Sequence, residues 1–210
     1  MSPVAAENFA RALQGESVAV IGPGDERMVL PMGEWLRDAD EQDREFLAHC
    51  VGPTIDVGCG PGRMTAALAE AGHVTLGVDA VSEAVATTLR RGGVALHRDL
   101  HDTLPGEGRW GTALLVDGNI GIGGDPVGLL RRMRTLLAPG GRVVVEVEAP
   151  GVASESVSLQ LDCDGEFSEP FPWSFVGADG IEEIGAEAGL GLTALHAHGT
   201  RWCAVLEVPA

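Results

Sequence analysis

The chain has 210 residues, 45% of them hydrophobic, which is material for one sizeable packed core. Fourteen Lys and Arg stand against 31 Asp and Glu, and the formal charge of −17 repels phosphate backbones and anionic lipid, so nucleic acid and membrane surfaces are disfavoured as partners. No run approaches the roughly 18 apolar residues of a transmembrane helix, and the first twenty residues lack the basic start and apolar core of a signal peptide, so a cytoplasmic location is expected.

Residues 1–50 read as a cap, with a short helix over 6–14, a small hairpin near Val18–Leu30 and a helix at about 33–50. Residues 54–60 form a buried strand, with β-branched Ile55 and Val57 before the glycines. A helix follows over 62–73, apolar at Met64, Ala67, Leu68 and Ala71, with Gly72 as its stop. A strand over 74–80, a helix over 82–93 and a strand over 94–100 come next, and a fourth strand covers 109–118. Asp125 and Pro126 open a helix over 124–141 as N-cap and first helical residue. The strand at 142–151 is almost continuously β-branched, the mark of burial on both faces. Residues 151–178 interrupt the rhythm as an insertion with its own hairpin. The tail is a helix over 177–190 and strands over 191–198 and 201–208; the connection at Gly199-Thr200 is too short for a parallel crossover, so this pair is antiparallel. The alternation predicts an α/β, Rossmann-like, seven-stranded and mostly parallel sheet with helices on both faces.

The densest chemistry lies in Asp56-Val57-Gly58-Cys59-Gly60-Pro61-Gly62, which ends a strand and opens a helix. Glycines there let the backbone approach a ligand, and the helix start offers free N–H donors. The dinucleotide fingerprint GxGxxG requires glycine at position 63, where this chain has Arg63. Asp79 ends the next strand 21 residues after Gly58, the place for a carboxylate that accepts from both hydroxyls of a ribose. Cys50, Cys59, Cys163 and Cys203 fall singly, without CxxC or CxxH spacing, so neither a disulfide framework nor a metal site is expected. Cys59 reads as a small filler and the Arg131–Arg134 run as solvated charge on a helix face.

With these residues in place the chain resembles the class I S-adenosylmethionine-dependent methyltransferases. The likeness covers residues 50–150 at motif level, and the strand order extends it to 208. DVGCGPG matches the family's first motif and LGVDA, with Asp79, its ribose acid. His97-Arg98-Asp99-Leu100 before Leu104-Pro105 is similar to the adenine segment, with one residue more than usual, so Asp99 and Asp102 both stand as adenine partners. Val116-Asp117-Gly118-Asn119 matches the stretch lining the methionine end, and LLAPGGRVVVEV the turn into the fifth strand.

The resemblance implies one methyltransferase domain over 1–210, sheet order 3-2-1-4-5-7-6 with strand 7 antiparallel, and S-adenosyl-L-methionine held by Asp56, Gly58, Cys59, Gly60, Gly62, Asp79, Ala80, Asp99, Leu100, Asp117 and Gly118. It implies methyl transfer to a small-molecule acceptor, with S-adenosyl-L-homocysteine as product. Candidate general bases are His101, Asp117, Glu148 and the pair His196/His198; candidate acceptor contacts are Asn119, Trp35 and Trp173. The aromatics of residues 171–175 form either a satellite core or a lid wall. Asp-Gly-Asn after the fourth strand differs from the Asn/Asp-Pro-Pro-aromatic pattern of nucleic-acid amino-methylating enzymes. A composition heavy in Ala, Gly, Val and Arg and without tyrosine suits a bacterial specialised-metabolism enzyme. Two other readings stay open: a non-catalytic S-adenosylmethionine-binding module, and a dinucleotide-dependent oxidoreductase. Monomer and homodimer are both compatible with the sequence.

Overall fold

The computed structural model describes residues 3–209. The cap holds α1 (Pro3–Leu13), β1 (Val18–Ile21), β2 (Arg27–Val29), α2 (Met32–Leu36) and α3 (Glu41–Leu47). The core follows as β3 (Thr54–Val57), α4 (Arg63–Glu70), β4 (Thr75–Asp79), α5 (Ser82–Arg90), β5 (Ala95–His97), β6 (Trp110–Leu115), α6 (Pro126–Leu136) and β7 (Leu137–Val147). The insertion adds β8 (Glu155–Cys163), β9 (Glu166–Phe167) and β10 (Phe171–Phe175), and the chain closes with α7 (Ile181–Glu187), β11 (Gly191–His198) and β12 (Arg201–Glu207).

Seven strands form one sheet in the order β5-β4-β3-β6-β7-β12-β11. The five strands from β5 to β7 are parallel, while β12 runs antiparallel to both of its neighbours. Counted within this sheet, the order is 3-2-1-4-5-7-6, as the resemblance implied. Period-two alternation divides β6 between two cores. Ala113 and Leu115 face Leu130, Met133 and Leu136 of α6 and Ile181 of α7, whereas Leu114 and Val116 face Phe46 of α3 and Met64 and Leu68 of α4. The carboxyl ends of the parallel strands thus open between two helical layers, where open α/β sheets bind their ligands.

The cap and the insertion are not separate hairpins. They join in a second, antiparallel sheet of order β10-β8-β1-β2, with β9 on β8. Val18 pairs with Cys163 and Ile21 with Gln160. Arg27 on β2 reaches across to buried Asp162 on β8. Ala5, Val18, Leu30, Leu161 and Cys163 form the small core beneath, with Phe9 and Trp35 packed on it.

Three other boundaries differ from the sequence reading. The helix expected at 33–50 is broken: Arg37 is extended, and Asp40 starts α3 through a capping box with Asp43. The helix expected to run to 141 ends at Leu136, because Leu137 already pairs with Trp110 and Pro139 cannot continue a helix. The fourth strand stops at Leu115, since Asp117 and Gly118 take left-handed backbone (φ 56° and 80°) and turn the chain into the 3₁₀ turn Asn119–Gly121.

Candidate active site

The glycine loop runs from β3 into α4 with Gly58, Gly60 and Gly62 all left-handed (φ 72°, 52° and 85°). A Cβ on Gly58 would lie 2.7 Å from Asn119 Nδ2, and one on Gly62 2.5 Å from Thr88 Oγ1, so packing as well as φ requires glycine at both. A Cβ on Gly60 would meet nothing within 4 Å: this glycine faces open space. Asp79 reaches the loop from the end of β4, accepting from the Gly60 N–H (2.8 Å) and, through its other oxygen, from the Val81 N–H (2.8 Å). Burial raises its carboxyl above the ordinary value, against the pull of these backbone donors.

Asp56 is placed differently from its expected role. It is 3% exposed and its carboxylate accepts from Thr65 Oγ1 at 2.6 Å, beneath the loop. Burial pushes its carboxyl up to about 7. It fastens α4 to β3 beneath the loop. Cys59 packs its thiol near Gly60 O and Thr88 Oγ1, with Val85 and Ala95 around it, as a filler does. The Ala80 carbonyl pairs with His97 Nε2 at 3.0 Å.

Asp99 closes its own turn, accepting from the His101 N–H at 2.9 Å, and the Asp102 carbonyl accepts from Arg132 at 2.6 Å. Arg132 also binds Leu100 O and Glu107, and Arg131 binds Glu187 O. The basic helix face is therefore not simply solvated: Arg132 holds the whole 100–107 loop. His101 and Glu148 are exposed, and Glu148 is fixed by backbone bonds to Val176 and Ala178.

Sequence reasoning missed the charged network beside the loop. Arg63, 4% exposed at the start of α4, grips both oxygens of Asp117 at 2.6 Å and reaches buried Asp43 on α3. Arg201 on β12 binds Asp43 (2.6 Å) and both oxygens of Glu146 (2.7 and 2.8 Å), while Arg37 binds Asp43 at 2.5 Å. Glu146 in turn accepts the Asp117 N–H at 2.6 Å. Burial raises the Asp117 carboxyl, against Arg63. With both oxygens on Arg63 Nη2, Asp117 positions the turn after β6 rather than standing free as a base. The one sequence signal was an arginine directly after three loop glycines.

Asn119 is also engaged: Nδ2 donates to Val57 O (3.0 Å) and Gly58 O (2.8 Å), tying the 3₁₀ turn to the glycine loop. Trp173 comes to the same turn from the insertion. Ile122 bridges to Trp173, and a Cβ on Gly121 would lie 2.5 Å from Trp173 Nε1. Trp35 does not join them; it stacks on Phe9 at 5.5 Å inside the cap. A cavity of about 680 Å³ in the cap, walled by Leu13, Val18, Leu30 and Met32, includes no residue of the glycine loop. His196 and His198 gather with His49 on the other side of Arg201. Two groups among the described residues have metal-ligand spacing: His49, His198 and Cys203, and Glu16, Cys163 and Asp164. Among the described residues, no helix is long and apolar enough to cross a membrane.

A left-handed glycine loop after the first core strand, an acid at the end of the second, and a sheet closing with a reversed hairpin define a Rossmann-like fold of the methyltransferase class. Residues 44–195 match the family model described as a methyltransferase domain, and the chain belongs to that family. Among solved structures it is similar to an S-adenosylmethionine-dependent methyltransferase from Bacteroides fragilis in complex with S-adenosyl-L-homocysteine, at 20% identity and TM-score 0.80, covering 98% of this chain and 94% of that one. It is also similar to the Burkholderia thailandensis 1,6-didemethyltoxoflavin-N1-methyltransferase, crystallised with 1,6-didemethyltoxoflavin and S-adenosylhomocysteine (18% identity, TM-score 0.65, 99% and 88% coverage). The CcbJ methyltransferase from Streptomyces caelestis matches at 17% identity and TM-score 0.64, covering 84% of this chain and 92% of that one. No curated protein sequence matches.

Proposed function

We propose that the chain transfers a methyl group from S-adenosylmethionine to a small-molecule acceptor. The observation that carries this is the Asp79–Gly60 pair: a carboxylate at the end of β4, with lone pairs beyond the two it commits to backbone donors, beside a left-handed glycine facing open space. That combination fits an adenosyl group, with Asp79 taking the ribose hydroxyls and Gly58 to Gly62 admitting the chain toward the methionine end. Asp99, Asp102 and Leu100 border the adenine side, and Asp117 and Gly118 the methionine side. When bound, S-adenosylmethionine supplies an activated sulfonium methyl, so this chain's task is mainly to orient an acceptor in line and exclude water.

Trp173 is the acceptor contact we favour, because it stands against Gly118 and Gly121 at the turn where transfer takes place. An aromatic wall of this kind suits a small, flat acceptor, and a protein of similar fold was crystallised with the small molecule 1,6-didemethyltoxoflavin. The net charge of −17 favours a small molecule over a nucleic acid. The test is isothermal titration with S-adenosylhomocysteine, with NAD and NADP alongside, followed by an acceptor screen. Micromolar binding of S-adenosylhomocysteine alone, and turnover of at least one acceptor, are the expected results. Dinucleotide binding in its place overturns the reading, and cofactor binding without turnover across a broad screen favours a non-catalytic module.

A further inference from the structure

His49, His196, His198 and Cys203 take no part in the reaction described above, yet the fold gathers them at the β11 edge. His196 opposes Cys203 directly across β11–β12 and His198 lies two residues along, so strand alternation turns all three side chains to one face. That face is covered by α3, whose Phe46 packs 5.2 Å from the His198 ring, and His49 follows the helix's C-cap, Ala48. His49 Nε2 stands 3.1 Å from His198 Nε2, and His49 stacks on His196 at 4.3 Å. One donor atom from each of His49, His198 and Cys203 lies within 4.8 Å of the other two.

We propose that His49, His198 and Cys203 bind a single zinc-type divalent cation, with Cys203 as thiolate. In a tetrahedral site with Zn–N of about 2.0–2.1 Å and Zn–S of about 2.3 Å, ligand atoms sit roughly 3.3–3.6 Å apart. The two imidazole nitrogens, 3.1 Å apart, are already near that spacing, and the sulfur lies within 4.8 Å of them, from where it closes by up to roughly 1.2 Å on binding. Imidazole with thiolate is the donor set that suits zinc and cobalt over calcium or magnesium. A further contact points the same way: the second ring nitrogen of His198, Nδ1, meets Glu45 Oε2 at 3.0 Å, the carboxylate partner that orients metal-binding histidines. His49 and His198 are only partly buried, which leaves the fourth position to water. Binding exchanges the thiol S–H for an S–metal bond and releases that proton to solvent.

The cation would clip the cap to the core. Glu45 and Asp43 both lie on α3, and Arg201, opposite His198 on β12, is a partner of Asp43. The clip therefore fixes the helix that supports the arginine network beside the glycine loop. The rival explanation for the 3.1 Å contact is an ordinary hydrogen bond between two neutral imidazoles, which needs no cation.

Cobalt(II) titrated into the chelator-stripped full chain separates the two. One equivalent producing the intense visible bands of a tetrahedral ion and a near-ultraviolet thiolate charge-transfer band, both erased by zinc, is the expected result. Cys203→Ser removes the charge-transfer band and His49→Gln weakens binding tenfold or more; Glu45→Gln weakens it about 10–100-fold with the spectrum unchanged. A hundredfold excess of zinc over its dissociation constant raises the melting temperature by roughly 5 °C or more. If Cys203→Ser does not fold, His49→Gln and His198→Gln, at the partly exposed rim, give the same reading. Absence of tetrahedral bands, or bands that survive His49→Gln and His198→Gln, overturns the proposal.

Discussion

Replacing Asp43 by Asn leaves the shape of the α3 capping box almost unchanged and removes the charge that three guanidinium groups share. Asp43 is fully buried and accepts from Arg37, Arg63 and Arg201, besides the Asp40 N–H. Removing one member of a buried ionic set typically costs about 3–5 kcal/mol, because the opposite charge stays behind without compensation. Each arginine keeps another acid here (Glu34 for Arg37, Asp117 for Arg63, Glu146 for Arg201), which places Asp43→Asn near the lower end, about 3 kcal/mol. At roughly 2–4 °C per kcal/mol for a chain of this size, the melting temperature falls by about 6–12 °C. Burial alone would raise the Asp43 carboxyl, but Arg63 and Arg37 outweigh it and hold the group well below the usual carboxylate range. A carboxyl depressed in the folded state stabilises fully above its unfolded value near 3.9, and this contribution is lost progressively as pH falls from there through the much lower folded value. Urea denaturation of wild type and Asp43→Asn at pH 7 and pH 3 measures both effects, with the gap wide at pH 7 and smaller, but still open, at pH 3. A loss under about 1 kcal/mol at pH 7, or an equal loss at both pH values, refutes the view that the network is electrostatically buried.

Asp79→Ala removes charge-assisted hydrogen bonds and weakens S-adenosylhomocysteine binding by about 1–3 kcal/mol, roughly 5- to 150-fold in Kd; an unchanged Kd by calorimetry takes Asp79 out of the site. Gly62→Ala adds a methyl group 2.5 Å from Thr88 Oγ1 to the left-handed penalty at φ 85°, whereas Gly60→Ala at φ 52° meets no atom and bears only that penalty, about 1–2 kcal/mol, besides weakening ligand binding. A thermal melt in which Gly60→Ala loses more than Gly62→Ala contradicts this ordering. Asp56 has its carboxyl raised from 3.8 to about 7 by burial, so its contribution is greatest at acid pH and declines by up to about 4 kcal/mol as pH climbs through that window. Asp56→Asn flattens the decline; urea midpoints from pH 5 to 8 that fall equally in wild type and variant remove Asp56 as its source.

The parallel core was legible because its signals are local. The glycines after Val57, the Asp125-Pro126 helix start and the two-residue connection before Arg201 each fix a boundary through nearby atoms. Asp79 was legible for the same reason, as spacing from a loop is a local measurement. What escaped was non-local. Nothing near Val18 announces Cys163 as its partner, and the two hairpins looked self-sufficient. His49 and His198 touch across 149 residues of sequence. The break between α2 and α3 depended on a capping box at Asp40 and Asp43, whose acid also serves the arginines. The sequence marks Asn119 as a candidate acceptor contact, but its tie to the loop is not visible there, because its amide donates to Val57 O and Gly58 O across 62 and 61 residues, after a left-handed turn made by Asp117 and Gly118.

The shared β1–β8 seam couples the two ends of the chain's history. Strands at 18–21 and 160–163 can zip together only after everything between them has been synthesised, a closure of high contact order. The seam is thus a long-range closure, and the Trp173 wall is tied to it through β8. For anyone recombining this scaffold with its relatives, the unit of exchange is discontinuous: residues 1–50 and 151–178 have to travel together, because either one grafted alone would present an unpaired strand edge to solvent.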